Sequence, residues 1–234
     1  MPLLRLACLD LDGTLLRRLG PSAHLAAFEA ALDDLVGAAT GIHATLTAGA
    51  LHIAGHQIDG SIDAEIAAWY LDEVGVDHGE LGRYSAAVAA QYARLRALAP
   101  GADVESQPGV RAGLARLATR FMTTPLSGNH HAIGWEKLAT AGLDDLLARP
   151  GLWGGWPATS RADLLGAALV RYGAAPDNCW YVGDTVRDVA AARAAGVHVV
   201  VVATGAFPIE ALQVAAPDAA VSTFTEAVEY LLHV

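Results

Sequence analysis

Lysine is nearly missing from this chain. Of the 15 basic residues 14 are arginine, and Lys137 is the one lysine. With the heavy use of alanine this is a compositional bias, but it also excludes lysine chemistry at any other position. Cysteine is scarce: Cys8 and Cys179 both sit beside apolar residues of expected strands. They read as free buried thiols, on strands that could be neighbours, with no disulfide, as in a reducing cytosol. No apolar run approaches the ~20 residues of a membrane-spanning helix. The longest, Val197 to Ala203, reads as a buried strand. The N-terminus has no basic region followed by an apolar stretch and cleavage site, so no signal peptide is expected. A cytoplasmic protein with no membrane partner follows. Positive charge is in deficit, giving a net charge of −10, which argues against nucleic acid as a partner. Any anion site must therefore be built locally, from a metal, helix N-termini and one or two cations. What is present is apolar: 53% of 234 residues, enough for one large globular domain or a core with a small second one.

From about residue 100 onward, strands and helices alternate. Pro108-Gly109 opens a helix through Arg120, Phe121 to Ser127 reads as a strand, and His130 to Ala141 as a helix stopped by Gly142. Trp153 to Trp156 is a short strand weakened by Gly154-Gly155. Asp163 to Tyr172 and Val186 to Ala195 read as helices, and Cys179 to Val182 and Val197 to Ala203 as strands. Ile209 to Val214 and Thr225 to Leu232 are helices flanking a short strand, Ala219 to Val221. Leu3 to Cys8 supplies a strand at the start. This alternation predicts an α/β fold with a mostly parallel sheet covered on both faces. Between residues 18 and 98 the pattern is helical instead: Ser22 to Val36, Asp63 to Val74 and Leu81 to Leu98. The stretch Gly41 to Gly60 between them carries several glycines and the irregularly spaced His43, His52 and His56, with no metal-site pattern. Pro100-Gly101 marks the return to the alternating pattern. The expected division is a core of residues 1–17 and 99–234 and a small helical unit of residues 18–98.

Three stretches carry chemistry. Leu9-Asp10-Leu11-Asp12-Gly13-Thr14-Leu15 sends two carboxylates off the end of the first strand together. Alone, such residues make an ordinary polar turn. Tyr181-Val182-Gly183-Asp184-Thr185-Val186-Arg187-Asp188 places further acids where a strand ends and a helix begins. Alone, they would favour the helix dipole. In a parallel sheet, however, strand C-termini and helix N-termini share one edge, so Asp184 belongs on the same edge as Asp10. Leu126-Ser127-Gly128-Asn129 adds a hydroxyl at a third strand end. Ser127 and the backbone N–H groups after it can bind an oxyanion at the coming helix, and Asn129 can cap that helix. Thr123 and Thr124 are the competing hydroxyls, but they lie earlier in the strand. Two cations compete for this edge. Arg161 directly precedes a helix N-terminus there. Lys137 lies well down the helix after Ser127, about 12 Å from the edge at 1.5 Å per residue. Arg161 is favoured and Lys137 is the alternative.

Together these stretches resemble the signatures of the haloacid-dehalogenase (HAD) superfamily of phosphohydrolases, in its phosphatase branch. The helical insert after the first motif matches, by position and helicity, the cap of phosphoglycolate phosphatase-like members. The resemblance implies a HAD-like Rossmannoid α/β core with a helical cap, and Mg²⁺-dependent hydrolysis of a small phosphomonoester through an aspartyl-phosphate. By the same resemblance Asp10 is nucleophile and metal ligand. Asp12 is the acid/base, with its backbone carbonyl on the metal. Asp184 ligates Mg²⁺, and Asp188 completes the metal site by orienting water or the loop. Thr14 fixes the loop, Ser127, Gly128 and Asn129 hold the phosphate, and Arg161 or Lys137 supplies the cation. The Lys-Pro pair of many relatives is absent.

In the cap, Gly55-His56-Gln57-Ile58-Asp59 resembles a short element that faces the substrate. His56 stands there in place of a frequent arginine, either as a substrate contact or in a solvated loop. From Leu19 to Ala93 the only basic residue is Arg83, so the cap is acidic and disfavours a sugar bisphosphate. Metal-free dehalogenation conflicts with Asp12 and Asp184, and Schiff-base phosphonate cleavage with the lack of a cap lysine. A phosphosugar mutase and a catalytically silent binding module remain open. The expected assembly is a monomer or homodimer.

Overall fold

The computed structural model describes residues 4–47, 50–99 and 103–234. Its first half contains β1 (Leu6–Leu9), β2 (Leu16–Arg18), α1 (Ala23–Val36), β3 (Thr45–Thr47), β4 (Ala50–Ile53), β5 (His56–Gln57), α2 (Asp63–Val74) and α3 (Leu81–Leu98). There follow β6 (Val104–Ser106), α4 (Val110–Leu117), β7 (Met122–Ser127), α5 (His131–Thr140) and β8 (Leu152–Trp153). The last part holds α6 (Arg161–Tyr172), β9 (Cys179–Gly183), α7 (Val186–Ala195), β10 (His198–Val202), α8 (Ile209–Val214), β11 (Ala219–Val221) and α9 (Phe224–His233).

Six strands form one sheet in the order β11-β10-β9-β1-β7-β8, with every pairing parallel. The α/β fold with a central parallel sheet is therefore as expected. Strand periodicity explains its two cores. Ala7, Leu9, Val182, Val200 and Val202 point to one face, where α4, α5 and α9 pack. Leu6, Cys8, Tyr181, Val199 and Val201 point to the other, under α6 and α7. Because helices cover both faces, such strands read as continuous apolar runs. Cys8 and Cys179 are buried free thiols on the adjacent strands β1 and β9. Among the described residues, no helix is long and apolar enough to cross a membrane.

A separate apolar cluster joins α1, α2 and α3, with Ile133 of α5 reaching into it. Phe28 stacks on Tyr70 with ring centroids 5.6 Å apart, and the buried Tyr84 hydroxyl donates to the Phe28 carbonyl at 2.8 Å. Removing the ring at the centre of this cluster leaves a cavity. Phe28→Ala is expected to cost about 3–5 kcal/mol, read as a lower urea midpoint at unchanged slope.

The structure departs from the sequence reading in several places. The Gly41 to Gly60 stretch is not loop: β3, β4 and β5 pair as a small antiparallel sheet, so this unit is not purely helical. An antiparallel pair, β2 with β6, brings the segment before α1 against the segment after α3. Helix α6 begins at Arg161 rather than Asp163, because the Ser160 hydroxyl accepts from Asp163 N. Asn129 does not cap α5; the cap is His130, whose Nδ1 accepts from Ala132 N. The first strand starts at Leu6. Leu3 and Pro100-Gly101 lie outside the described residues.

Candidate active site

The C-terminal ends of four adjacent strands converge. Asp10 follows β1, Ser127 ends β7, Asp184 follows β9, and Thr204-Gly205 follow β10. Behind Asp10 the chain doubles back, with the Leu11 carbonyl accepting from the N–H groups of Thr14, Leu15 and Leu16. Gly13 makes this turn at φ +86°, which favours glycine. The residues line a cavity of about 450 Å³ that also takes in Lys137 and Arg161.

Asp10, Asp184 and Asp188 form one buried cluster, each offering an oxygen within 4.8 Å of the others. Arg161 is the cation set into it. Its Nη1 donates to Asp10 Oδ1 at 2.9 Å and to the Tyr181 hydroxyl at 2.7 Å. Its Nε stands 3.3 Å from Asp188 Oδ1, an ion pair without hydrogen-bond geometry. Residues at the start of a helix aim their side chains back past its N-terminus, which brings Arg161 onto the sheet edge. Asp188 is committed within the protein. Its Oδ2 accepts from Asp184 N, Thr185 N and the Thr185 hydroxyl, and its Oδ1 from the Tyr181 hydroxyl. The Thr14 hydroxyl donates to Asp184 Oδ1 at 3.3 Å.

Lys137 does not lie away from the edge. Its Nζ donates to Asp12 Oδ2 at 2.7 Å and to Asn129 Oδ1 at 2.8 Å, and is itself buried. The helix-rise estimate described the backbone. A lysine on α5 extends towards the helix N-terminus and covers the remaining distance with its stem. Both candidate cations therefore reach the site, one on each motif aspartate. Asn129 donates from Nδ2 to Asp12 Oδ2 and to Ser127 Oγ, both at 2.8 Å.

Charge environment separates the two aspartates of the first motif. Burial pushes Asp10 up to about 6; Arg161 opposes this, while Asp188 and Asp12 reinforce it. Partial desolvation would raise Asp12 as well, although its side chain is 48% exposed, but the Lys137 ammonium and the Asn129 amide outweigh that and hold it below the ordinary value. Burial, then repulsion from Asp188 and Asp10, raises Asp184 well above the carboxylate range.

His56 is not brought to the site. It is exposed, and its ring stacks on Trp69 at 4.6 Å. His43 pairs with Glu29, and His52 contacts the Ala50 carbonyl.

A model of the HAD-hydrolase-like family matches residues 160–227, the segment that contributes Arg161, Asp184 and Asp188. Solved structures with the same fold span nearly the full chain. A haloacid dehalogenase-like family hydrolase from Streptococcus pneumoniae is 17% identical, covering 97% of this chain and 98% of its own, with a TM-score of 0.65. A predicted phosphoglycolate phosphatase from Haemophilus somnus is 19% identical over 97% and 98%, with a TM-score of 0.64. A β-phosphoglucomutase candidate from Thermotoga maritima is 16% identical over 99% and 100%, with a TM-score of 0.55. No curated protein matches the sequence.

Residues 160–227 match the HAD-hydrolase-like family, and the chain as a whole has the fold of these structures.

The donor set of this site fits a hard divalent cation, which takes oxygen ligands. Three buried carboxylates face one arginine, so the cluster has an excess of negative charge. The space around Asp184 is kept by glycines: a Cβ on Gly13 would come within 2.2 Å of Asp184 Oδ2, and one on Gly205 within 1.6 Å. Gly205 was invisible to motif reading, since a lone glycine after a strand has many ordinary uses. Gly205→Ala is expected to displace Asp184 and weaken Mg²⁺ binding at least tenfold while the protein stays folded. Isothermal titration with Mg²⁺, beside a melting curve, checks this.

His24, Asp63 and Tyr181 were also missed by the sequence reading. His24 and Asp63 line the cavity from α1 and α2, and no local pattern distinguishes them from surface polar residues of a helix.

Proposed function

We propose that this HAD-like hydrolase is a Mg²⁺-dependent phosphomonoesterase acting on a small phosphorylated metabolite through an aspartyl-phosphate on Asp10. One observation carries the reading. Asp10 and Asp12 share a cavity with Asp184, and each of the first two holds its own buried cation, Arg161 and Lys137.

In this reading residues 1–17 and 99–234 are the catalytic core and residues 18–98 the cap. Asp10 attacks phosphorus as the bond to the leaving alcohol breaks. Asp12 protonates the departing oxygen and later takes a proton from the water that hydrolyses the aspartyl-phosphate, releasing inorganic phosphate. Lys137 keeps Asp12 ionised while the site is empty of substrate. An arriving phosphate competes for that ammonium and so raises the proton affinity of Asp12 when it must act as an acid. Ser127, Gly128 and Asn129 receive phosphoryl oxygens, and Arg161 orients Asp10. Asp10, Asp184 and the Asp12 carbonyl would hold the Mg²⁺, with Asp188 fixing the Asp184 loop from behind. When bound, the ion offsets the charge of phosphate and nucleophile, which otherwise repel. Positioning and charge stabilisation dominate such transfers.

Phosphate release from a panel of phosphomonoesters, with Mg²⁺ and with chelator, tests the reading. Mg²⁺-dependent release from at least one compound is the expected result. A sugar 1-phosphate converted to its isomer without release would support a mutase instead, the activity ascribed to the Thermotoga neighbour. No turnover of any compound, with Mg²⁺ still bound, would favour a binding role.

A further inference from the structure

We propose that His24 is a positioning residue that sets Lys137 on Asp12, with Asp63 fixing its tautomer. The phosphomonoesterase reading supplies the reaction that this serves; the hydrogen-bond chain stands without it. Asp63 Oδ2 lies 2.8 Å from His24 Nε2 and accepts from His130 N at 2.6 Å. On the other side of the ring, Lys137 Nζ lies 3.3 Å from His24 Nδ1.

Proton inventory makes this chain run one way. A carboxylate only accepts, so Nε2 carries the ring proton that goes to Asp63. An ammonium only donates, so Nδ1 presents its lone pair to Lys137. Lys137 has three protons to give and three acceptors to take them: Asp12 Oδ2, Asn129 Oδ1 and His24 Nδ1. The arrangement is enclosed, with side-chain exposures of 12% for His24, 7% for Asp63 and 6% for Lys137. The ring itself is wedged between Phe28 and Tyr92, with centroids 5.4 and 6.1 Å away.

The partners come from both units. His24 and Asp63 belong to α1 and α2; Asp12, Asn129 and Lys137 belong to the sheet edge and α5. The third bond of Lys137 therefore exists only while α1 and α2 sit over that edge. Lifting them leaves one ammonium proton unpaired and frees Lys137 to swing from Asp12. A histidine serving only to hold two helices together would need its bond to Asp63 and nothing at Nδ1.

The rarity of lysine supplies the test. Amine-specific acylation at neutral pH, followed by peptide mass spectrometry, reports on Lys137 as the one lysine side chain. His24→Leu keeps bulk but removes the acceptor. His24→Asn keeps an oxygen near the position of Nδ1. His24→Leu is expected to acylate roughly tenfold faster than wild type, the scale of a lost hydrogen bond to a charged group. It should also lower kcat by a similar factor with little change in KM. His24→Asn should stay within about threefold of wild type in both. Equal acylation rates in wild type and His24→Leu would overturn the proposal. Faster acylation in a protein whose wild type hydrolyses no phosphomonoester would support it and remove the functional reading instead. Should His24→Leu not fold, the ring ¹⁵N shifts of wild-type His24 decide. A proton on Nε2 is expected, and one on Nδ1 overturns the assignment.

Discussion

Asp10→Asn is expected to cut phosphate release by on the order of 10⁴-fold or more. An amide is a far weaker nucleophile than a carboxylate, and among the described residues Asp10 is the carboxylate that Arg161 Nη1 bonds. The fold should survive. Asp10 is 5% exposed, and burial already drives its carboxyl towards the neutral form. A neutral residue of nearly the same shape therefore removes charge crowding at little packing cost. Asp12→Asn should cost less, roughly 10²–10⁴-fold, the range of a lost general acid/base. Steady-state phosphate release beside matched circular dichroism spectra checks both. Undiminished turnover in Asp10→Asn would rule out the aspartyl-phosphate.

Mg²⁺ should stabilise the protein as well as activate it, and chelation should reverse both effects. The pH dependence follows from the acid cluster. Asp10 titrates at about 6 in the folded protein against an ordinary value of 3.8. The native state thus binds more protons than the unfolded chain between these values. Metal-free stability therefore falls as pH rises through that window, by about 3 kcal/mol from this group. Asp184 shifts in the same direction. A divalent cation replaces the missing protons, so its stabilisation grows with pH over the same interval. At a hundredfold excess over its Kd it contributes about 2.7 kcal/mol. Melting curves at acidic and neutral pH, with Mg²⁺ and with chelator, should diverge as pH rises. Asp184→Asn should bring them together. Identical melting of wild type with and without Mg²⁺ at neutral pH would remove the metal from the site.

The candidate site's edge was legible because its determinants are local. Strands of alternating buried residues, such as Val199 to Val202, announce themselves by length and composition. Helices announce their ends by caps such as Thr185, whose side chain accepts from Asp188 N. A carboxylate just past a strand and another at a helix start must then meet at one edge of a parallel sheet. The small sheet of β3, β4 and β5 was not legible. Its strands are too short to show a period of two, and much of their surface is exposed. The turn between β4 and β5 places Ala54 and Gly55 at positive φ, and alanine there is not the residue that signals such a turn.

The cations mark where sequence reasoning stops. Arg161 sits beside a helix start, so its place on the edge followed from local rules. Lys137 depends on how far a flexible stem extends from α5 and on what receives its charge. Its partner His24 is 113 residues away in sequence. The alternation of strands and helices and the positions of Asp10, Asp184 and Ser127 on one edge are properties of local periodicity and chain direction, which the sequence determined by itself; the strand order was set by tertiary pairing. Which cation meets which aspartate, the clearance that Gly205 leaves for Asp184, and the docking of His24 and Asp63 over the edge were decided only by the tertiary structure. Those depend on side-chain reach and on packing between segments far apart in the chain, and no local pattern encodes either.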